Sequence, residues 1–210
     1  MSEHIYTYSD PPSERDIKRT IAVLEKDGVI ACPIDDNWAF CCNASSPKAL
    51  DRIRQLKPSH PKQQPFSLLC SDISMASEIG VIDHQAYRLL KKAWPGPYTI
   101  IFRRARNLAR QIKDKRLVVG IRVPVSPLIR RLVEVFGQPL ATTSIPEIQN
   151  PPELTLGFQI FEIYAHAIDM LLDLGEGLPC LESTIIDMSA ESGLELVRQG
   201  VGDPSIFGLT

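Results

Sequence analysis

The chain has 210 residues, 44% of them hydrophobic, which predicts one domain with a single large core. No run of about 18 apolar residues occurs, and residues 1–13 are polar and acidic, so we expect neither a membrane span nor a signal peptide. We therefore expect a cytoplasmic protein, and the five cysteines, mostly within apolar runs, are expected to be reduced core thiols.

The net charge is only -2, but the charges are segregated along the chain. Residues 48–131 contain 18 Lys and Arg against 5 Asp and Glu, whereas residues 147–210 contain 11 acidic residues and one basic residue, Arg198. This distribution favours a basic face or cleft for an anionic partner such as a nucleotide or RNA. It is equally typical of two segments that neutralise each other in the folded chain.

The predicted elements alternate between helices and strands along the chain. Apolar spacing, cap residues and breaks at Gly or Pro predict helices at 14–27, 47–56, 74–79, 84–93, 126–136 and within 158–167. Short apolar runs bounded by turn residues predict strands at 29–33, 38–42, 66–70, 98–102, 117–123, 139–144, 168–174, 183–188 and 194–198.

This order predicts a single α/β domain built on a twisted mixed sheet with flanking helices. The domain is expected to span residues 15–207, after an N-terminal extension at residues 1–14. Two proline-rich segments, residues 57–65 and residues 150–152, are expected to be surface loops, and loops of this kind often contact ligands.

The common nucleotide motifs are absent from the sequence. There is no GxxxxGK[ST] loop, no GxGxxG turn after a strand and no GxSxG elbow. There is also no CxxC pair, and the four histidines show no ligand spacing, so no protein-bound metal is expected. Any binding site must therefore come from less common motifs.

Two short motifs place polar residues in apolar strands. A rigid Trp94-Pro95-Gly96-Pro97 turn brings Thr99 to the start of a strand, although turn chemistry alone also explains it. In Gly120-Ile121-Arg122-Val123-Pro124 a charged residue lies within an apolar strand, where it must be paired or point into a cavity. A structural ion pair and a ligand contact both fit Arg122.

Two further motifs are rich in hydroxyl groups. Thr142, Thr143 and Ser144 end a strand and could donate to phosphate or carboxylate oxygens, although strand propensity also favours Thr there. The Ser183-Thr184-x-x-Asp187 motif is followed by Arg198-x-Gly200, and Arg198 either meets a ligand or pairs with a nearby carboxylate.

Taken in order, these motifs resemble the YrdC-like family. The resemblance covers roughly residues 15–205 and rests on Pro33-x-Asp35, Lys57, Pro95-Gly96-Pro97-x-Thr99, Gly120 to Pro124, Thr143-Ser144, Ser183-Thr184-x-x-Asp187 and Arg198-x-Gly200. It implies a YrdC-like fold with a concave basic cleft that binds nucleotide or double-stranded RNA. The best-known members are L-threonylcarbamoyladenylate synthases. They join threonine, bicarbonate and ATP with release of pyrophosphate, which starts threonylcarbamoyladenosine formation in tRNA.

The resemblance also implies roles for individual residues, with ATP and Mg²⁺ as substrate if the chain is an enzyme. Lys57 matches a lysine at the nucleotide phosphates, Ser144 and Thr142 match hydroxyls of the adenylate site, and Ser183 and Arg198 match ligand-contacting residues. Such cations and hydroxyls would stabilise charge at the α-phosphate without a covalent nucleophile, and no catalytic base is evident. The complete implied binding set is Asp35, Trp38, Lys57, Thr99, Arg122, Thr142, Ser144, Ser183 and Arg198.

The sequence departs from the synthase pattern within this set. The synthases usually show Pro-Thr-Asp-Thr-x-Tyr-Gly-Leu, and here both threonines are replaced, by Ile34 and Asp36. Further changes fall on the second cation of a Lys-x-Arg motif, on a later basic position and on a Ser-x-Asn motif, at Ser59 or His60, at Gln64 and at Ser144-Ile145-Pro146. These changes predict weaker phosphate binding than in the synthases.

The pattern is more similar to the YciO-type branch of the family, which leaves the function open. One hypothesis is an ATP-using synthase, or a relative with another acyl substrate. The alternatives are a non-catalytic protein that binds RNA or the ribosome and a nucleotide sensor that acts through a partner. A basic stretch suits contact with an RNA backbone, or is simply a solvated loop, and comprises Arg104, Arg106, Arg110, Lys113, Lys115 and Arg116.

Overall fold

The computed structural model describes residues 2–58, 66–105, 117–145, 155–190 and 193–209. Within these ranges six α-helices are present: α1 (Glu14–Leu24), α2 (Pro47–Leu56), α3 (Ile73–Ile79), α4 (His84–Ala93), α5 (Pro127–Phe136) and α6 (Gly157–Tyr164). The ten strands are β1 (Glu3–Tyr6), β2 (Val29–Ile34), β3 (Asn37–Asn43), β4 (Ser67–Leu69), β5 (Tyr98–Arg103), β6 (Val118–Arg122), β7 (Leu140–Ser144), β8 (Met170–Asp173), β9 (Thr184–Asp187) and β10 (Glu195–Arg198). A short 3-10 helix, Pro204–Phe207, follows β10.

The ten strands form one mixed sheet in the order β1-β8-β2-β3-β7-β4-β6-β5-β9-β10. Four neighbouring pairs are parallel, namely β1 with β8, β8 with β2, β4 with β6, and β5 with β9. The remaining pairs are antiparallel. The predicted α/β class, with one mixed sheet and flanking helices, is confirmed.

The helices begin where the sequence places good cap residues. The side chains of Ser13, Ser46, Asp72, Asp83 and Ser126 each accept a hydrogen bond from a backbone N–H in the first turn of the helix that follows. Such caps satisfy donors that have no partner inside the helix, which fixes the start of each helix.

The core is divided between the two faces of the sheet because side chains alternate along each strand. One face packs against α2, α3, α4 and α6, and its buried residues include Phe40, Ile100 and Ile121. The other face packs against α1 and α5, through strand residues such as Cys41 and Leu69.

The apolar cluster under α1 and α5 occupies only part of its face of the sheet. The cluster draws on β1, β8, β2, β3, β7 and β4, and no residue of β5, β6, β9 or β10 belongs to it. Beyond this cluster the alternating positions of the same face hold Thr99 and Ile101 on β5, Val118, Gly120 and Arg122 on β6, and Ile185 on β9. The fold therefore places the buried hydroxyl-bearing residues Thr99 and Thr142 beside an apolar cluster.

Two features of the structure were not predicted from the sequence. Residues of the predicted N-terminal extension form β1, which pairs in parallel with β8 at one edge of the sheet. Only Ile5 of this strand is buried, so its apolar pattern is too short to recognise. The 3-10 helix buries Phe207 against the ring of Tyr98.

The five cysteines form no disulfide, and four of them are buried. Burial raises the pKa of the Cys42 and Cys70 thiols well above the ordinary value, so these thiols stay protonated. No helix in the described part of the chain is long and apolar enough to cross a membrane.

Candidate functional site

We call the part of this second face that lies beyond the apolar cluster the cleft, and its position follows from strand register. On this side of the sheet, Ser67 and Thr99 are the nearest neighbours of Gly120. Ser67 lies opposite Thr142, and Cys41 of the second core cluster donates a 3.4 Å hydrogen bond to the Thr142 hydroxyl. The side chains that define the cleft are Ser67, Thr99, Arg122, Thr142, Ser144, Ser183 and Arg198.

Asp35 joins the turn between β2 and β3 to the end of β6. Arg122 Nη2 donates to Asp35 Oδ2 over 2.6 Å, and the backbone N–H of Ser126 donates to Asp35 Oδ1 over 2.8 Å. The side chains of Arg122 and Asp35 are 13% and 6% exposed. The sequence alternatives for Arg122 are thus resolved in part, since it forms a buried ion pair.

Arg122 nevertheless keeps a donor for another partner. Its Nε atom is buried and has no hydrogen-bond partner among the described residues. A buried donor without a partner is costly unless a ligand or water satisfies it. Arg122 can therefore serve both the Asp35 ion pair and an anionic ligand.

Arg198 lies over Ser183 at the far side of the cleft. Its Nε and Nη2 atoms donate to the Ser183 carbonyl over 3.2 and 2.7 Å, and Nη2 lies 3.4 Å from the Ser183 hydroxyl. The Ser183 and Thr99 hydroxyls are 3.0 Å apart and share a hydrogen bond. Arg198 Nη1 donates to Glu182 Oε1 over 2.8 Å, so the predicted local carboxylate partner exists.

A β-bulge aims Arg198 into the cleft. Leu196 pairs with Ile186, but Arg198 pairs with Ile185, so Val197 is an extra residue in β10. Ile186 belongs to the first core cluster, and Ile185 therefore points to the other face. Without the extra residue Arg198 would lie opposite Thr184, on the core side.

The cleft carries an excess of positive charge. Burial lowers the pKa of Arg198 from its ordinary value, the Glu182 carboxylate opposes this effect, and the neighbouring Arg122 charge lowers the pKa further. Arg122 and Arg198 are thus close enough to repel each other. An anion bound near both would relieve this repulsion.

Lys57 and Ser144, predicted from separate motifs, are in direct contact. Lys57 follows α2, and its Nζ atom donates to the Ser144 hydroxyl over 2.9 Å and to the Ser144 carbonyl over 3.0 Å. Lys57 is buried. The structure therefore brings a third cationic side chain to the end of β7, beside a hydroxyl of the cleft.

Two residues of the altered motif lie elsewhere. Trp38 is 0% exposed in the first core cluster, and its indole Nε1 donates to the Thr155 carbonyl over 2.8 Å. Ile34 is buried beneath α1 and α5. Neither side chain joins the polar group of the cleft.

Several predicted positions fall outside the described residues. They are Ser59, His60, Gln64, Pro146, the loop at 150–152 and five of the six basic rim residues, namely Arg106, Arg110, Lys113, Lys115 and Arg116. The sixth, Arg104, forms an isolated bridge with Gly80 at the end of β5. Within the described ranges no group of three or more His, Cys, Asp or Glu side chains could hold a metal ion.

The sequence motifs did not reveal every residue that shapes the cleft. Ser67 contributes to its floor beside Gly120 of the predicted Gly120 to Pro124 motif, and Glu182 contacts Arg198. Ser67 is the second residue of the predicted strand at 66–70, and a strand alone does not show which face a given residue occupies. Glu182 could have been identified from the sequence, since it directly precedes the Ser183-Thr184 motif.

Gly200 permits the close approach that holds Arg198 over Ser183. A Cβ atom at Gly200 would collide with backbone atoms of Glu182 and Ser183, which cannot move as a flexible side chain would. We expect Gly200→Ala to lower the free energy of unfolding by about 1–3 kcal/mol, as overpacking does. Urea denaturation would measure this loss.

Gly177 provides the control for that substitution. A Cβ atom there would meet its neighbours at ordinary contact distances, 3.5 Å or more. We expect Gly177→Ala to change stability by no more than about 0.5 kcal/mol. Equal effects at the two glycines would show that β9 and β10 do not depend on the Gly200 contact.

Comparison with known proteins agrees with this architecture. A sequence model of the Sua5/YciO/YrdC family, described as "telomere recombination", matches residues 22–200. The "uncharacterized protein YciO" of Escherichia coli K12 is 32% identical over 216 residues, which covers 99% of this chain and 100% of YciO. Mouse threonylcarbamoyl-AMP synthase is 26% identical over 193 residues, which covers 88% of this chain and 66% of the synthase.

Solved structures show the same fold. The crystal structure of E. coli YciO has a TM-score of 0.87 and 30% identity, and covers 99% of this chain and 100% of YciO. P. abyssi Sua5 complexed with L-threonine has a TM-score of 0.82 and 22% identity over 99% of this chain and 61% of Sua5. The chain therefore belongs to the Sua5/YciO/YrdC family, with the mixed-sheet fold of YciO and Sua5 and a family-level relationship to threonylcarbamoyl-AMP synthase.

Proposed function

We propose that the cleft binds an adenine nucleotide through its phosphates, as in a threonylcarbamoyl-adenylate synthase or a relative with another acyl substrate. The observation that carries this proposal is the grouping of Arg122 and Arg198 near the Thr99 and Ser183 hydroxyls. Two arginines that repel each other, beside paired hydroxyl groups, provide charge and donors for phosphate oxygens.

The size of the cleft favours a nucleotide over a single phosphate. Its side chains come from β7, β4, β6 and β5 and from the start of β9, which are five neighbouring strands. Strand spacing makes this surface roughly 19 Å wide. The contact between Lys57 and Ser144 lies on β7, at one side, and Arg198 lies over Ser183 at the other. A nucleoside triphosphate can reach both groups.

The residues suit charge stabilisation rather than base catalysis. The two carboxylates in contact with the cleft arginines, Asp35 and Glu182, both form ion pairs. Arginine and lysine donors near the α-phosphate would stabilise the charge that develops when pyrophosphate leaves. Mg²⁺ would enter with ATP as part of the substrate, and tRNA is the partner that an adenylate product would serve.

A calorimetric titration with Mg·ATP, followed by a pyrophosphate assay, tests the proposal. We expect saturable binding of Mg·ATP to the intact chain. Pyrophosphate release that depends on threonine and bicarbonate would identify synthase chemistry, and binding without release would favour a regulatory protein or another acyl substrate. Absence of nucleotide binding would contradict the proposal, and salt-sensitive binding of double-stranded RNA would then support the RNA-binding alternative.

A further inference from the structure

Glu182 occupies the outer edge of the Arg198 guanidinium. The inner edge, Nε and Nη2, is held by Ser183, whereas Nη1 donates to Glu182 Oε1 over 2.8 Å. Among the described residues Glu182 accepts the hydrogen bond from Nη1, so this carboxylate lies where an incoming anion would meet Arg198. The carboxylate and a phosphate oxygen offer a guanidinium the same kind of charge-assisted hydrogen bond.

The ion pair between Glu182 and Arg198 is accessible to exchange. The Arg198 and Glu182 side chains are 37% and 42% exposed. Water screens ion pairs at such exposure, which makes them weak compared with buried pairs. By contrast, the ion pair of Arg122 with Asp35 is buried and receives a further hydrogen bond from the Ser126 N–H, so it is expected to persist when a ligand binds.

The backbone around Glu182 is fixed, so only its side chain needs to move. The Glu182 carbonyl accepts a 3.0 Å hydrogen bond from the N–H of Val201, and Gly200 packs closely against Glu182 and Ser183. Arg198 is meanwhile held by the Ser183 carbonyl and hydroxyl. Rotation of the Glu182 side chain would therefore expose Nη1 while the rest of Arg198 stays in place.

We propose that the Glu182 carboxylate holds the place on Arg198 that a phosphate oxygen of the nucleotide takes, and that binding exchanges one for the other. This inference rests on the proposed function of the cleft. Ser183 keeps Arg198 aimed across the cleft, whereas the Glu182 carboxylate occupies Nη1 until a ligand displaces it. Glu182 also sets a threshold, because a ligand must compete with a carboxylate, which favours phosphoryl groups over weaker acceptors.

Removing the charge of Glu182 tests the exchange, because the direction of the change in Mg·ATP affinity shows whether the carboxylate competes with the ligand. If the carboxylate competes with the ligand, Glu182→Gln binds Mg·ATP more tightly than the unmodified protein, by about three- to tenfold, the range expected for a partly exposed ion pair. Calorimetric titration would measure the affinity. The matched control is Glu195→Gln, which removes an exposed negative charge on the same strand as Arg198.

A double substitution tests whether Glu182 acts through Arg198. In an Arg198→Ala background the change Glu182→Gln should give no gain in Mg·ATP affinity, because the competed group is absent. A purely structural role of Glu182 would not produce this dependence. Comparable melting temperatures of the single variants would establish that folding is unchanged.

The outcomes separate this inference from the proposed function. If Mg·ATP binds and Arg198→Ala weakens it, but Glu182→Gln leaves the affinity unchanged or lower, the exchange is overturned and the nucleotide site stands. A gain in affinity equal to that of Glu195→Gln also overturns the exchange, since the loss of one negative charge would then explain both gains. If no variant binds Mg·ATP, both proposals fall.

Discussion

Arg198→Ala weakens Mg·ATP binding by about 1–3 kcal/mol, roughly five- to 150-fold, if the cleft is the nucleotide site. The reason is geometric, since the bulge at Val197 directs Arg198 to the cleft face and Ser183 fixes its guanidinium there. Lys57→Ala should cause a loss of similar size because Lys57 contacts the Ser144 hydroxyl. Calorimetric titration of each variant would give the change in affinity.

Matched surface substitutions separate local contacts from overall charge. Arg88 is exposed on α4, a helix that packs on the opposite face of the sheet, and Lys48 is exposed on α2. Arg88→Ala and Lys48→Ala remove the same charges without touching the cleft. Affinities that are unchanged in both Arg198→Ala and Lys57→Ala, or lowered equally in the controls, would contradict the proposed site.

Asp35→Ala lowers the free energy of unfolding by about 3–5 kcal/mol, because it leaves a buried guanidinium without its counter-charge. Arg122 is only 13% exposed, and Asp35 is its ion-pair partner at 2.6 Å. The substitution also removes the acceptor for the N–H of Ser126 at the start of α5. Urea denaturation of the purified variant measures the loss.

Two further variants test whether the loss of stability comes from the buried ion pair. Asp35→Asn keeps an acceptor for Ser126 and tolerates the left-handed backbone at φ 53°, so it should lose less stability than Asp35→Ala. Asp51→Ala removes an exposed partner of Arg54 and should cost less than about 1 kcal/mol. A loss below 1 kcal/mol for Asp35→Ala would show that Arg122 finds another partner or water.

The general fold follows from local signals that the sequence contains. Cap residues such as Ser46 and Asp83 mark where helices begin, and turn residues separate the strands. Strand β1 gives no such signal, because it is an edge strand in which only Ile5 is buried. Its position depends on pairing with β8, which lies far away in the sequence.

The site was harder to predict because face and pairing depend on the folded sheet. Ile34 and Trp38 belong to a motif expected at the ligand, yet both side chains are in the core. A one-residue change of register reverses the face of every side chain, and the sequence does not state the register. For the same reason the sequence does not show that the extra residue Val197 turns Arg198 to the cleft face.

Contacts between residues far apart in the sequence could not be predicted either. Asp35 and Arg122 are 87 residues apart and were predicted from separate motifs, without any sign that they contact each other. The contact between Lys57 and Ser144 also spans 87 residues. The resemblance to a family brought these residues into one set, and the structure supplies the contacts between them.

The most direct test of the nucleotide site is a crystal structure of the intact protein with Mg·ATP. We expect phosphate oxygens within hydrogen-bond distance of Arg198 and of the Thr99 and Ser183 hydroxyls, with the Arg122 to Asp35 ion pair retained. Glu182 should then have left Nη1 of Arg198. Nucleotide bound away from the cleft, with Arg198 still paired to Glu182, would contradict this account.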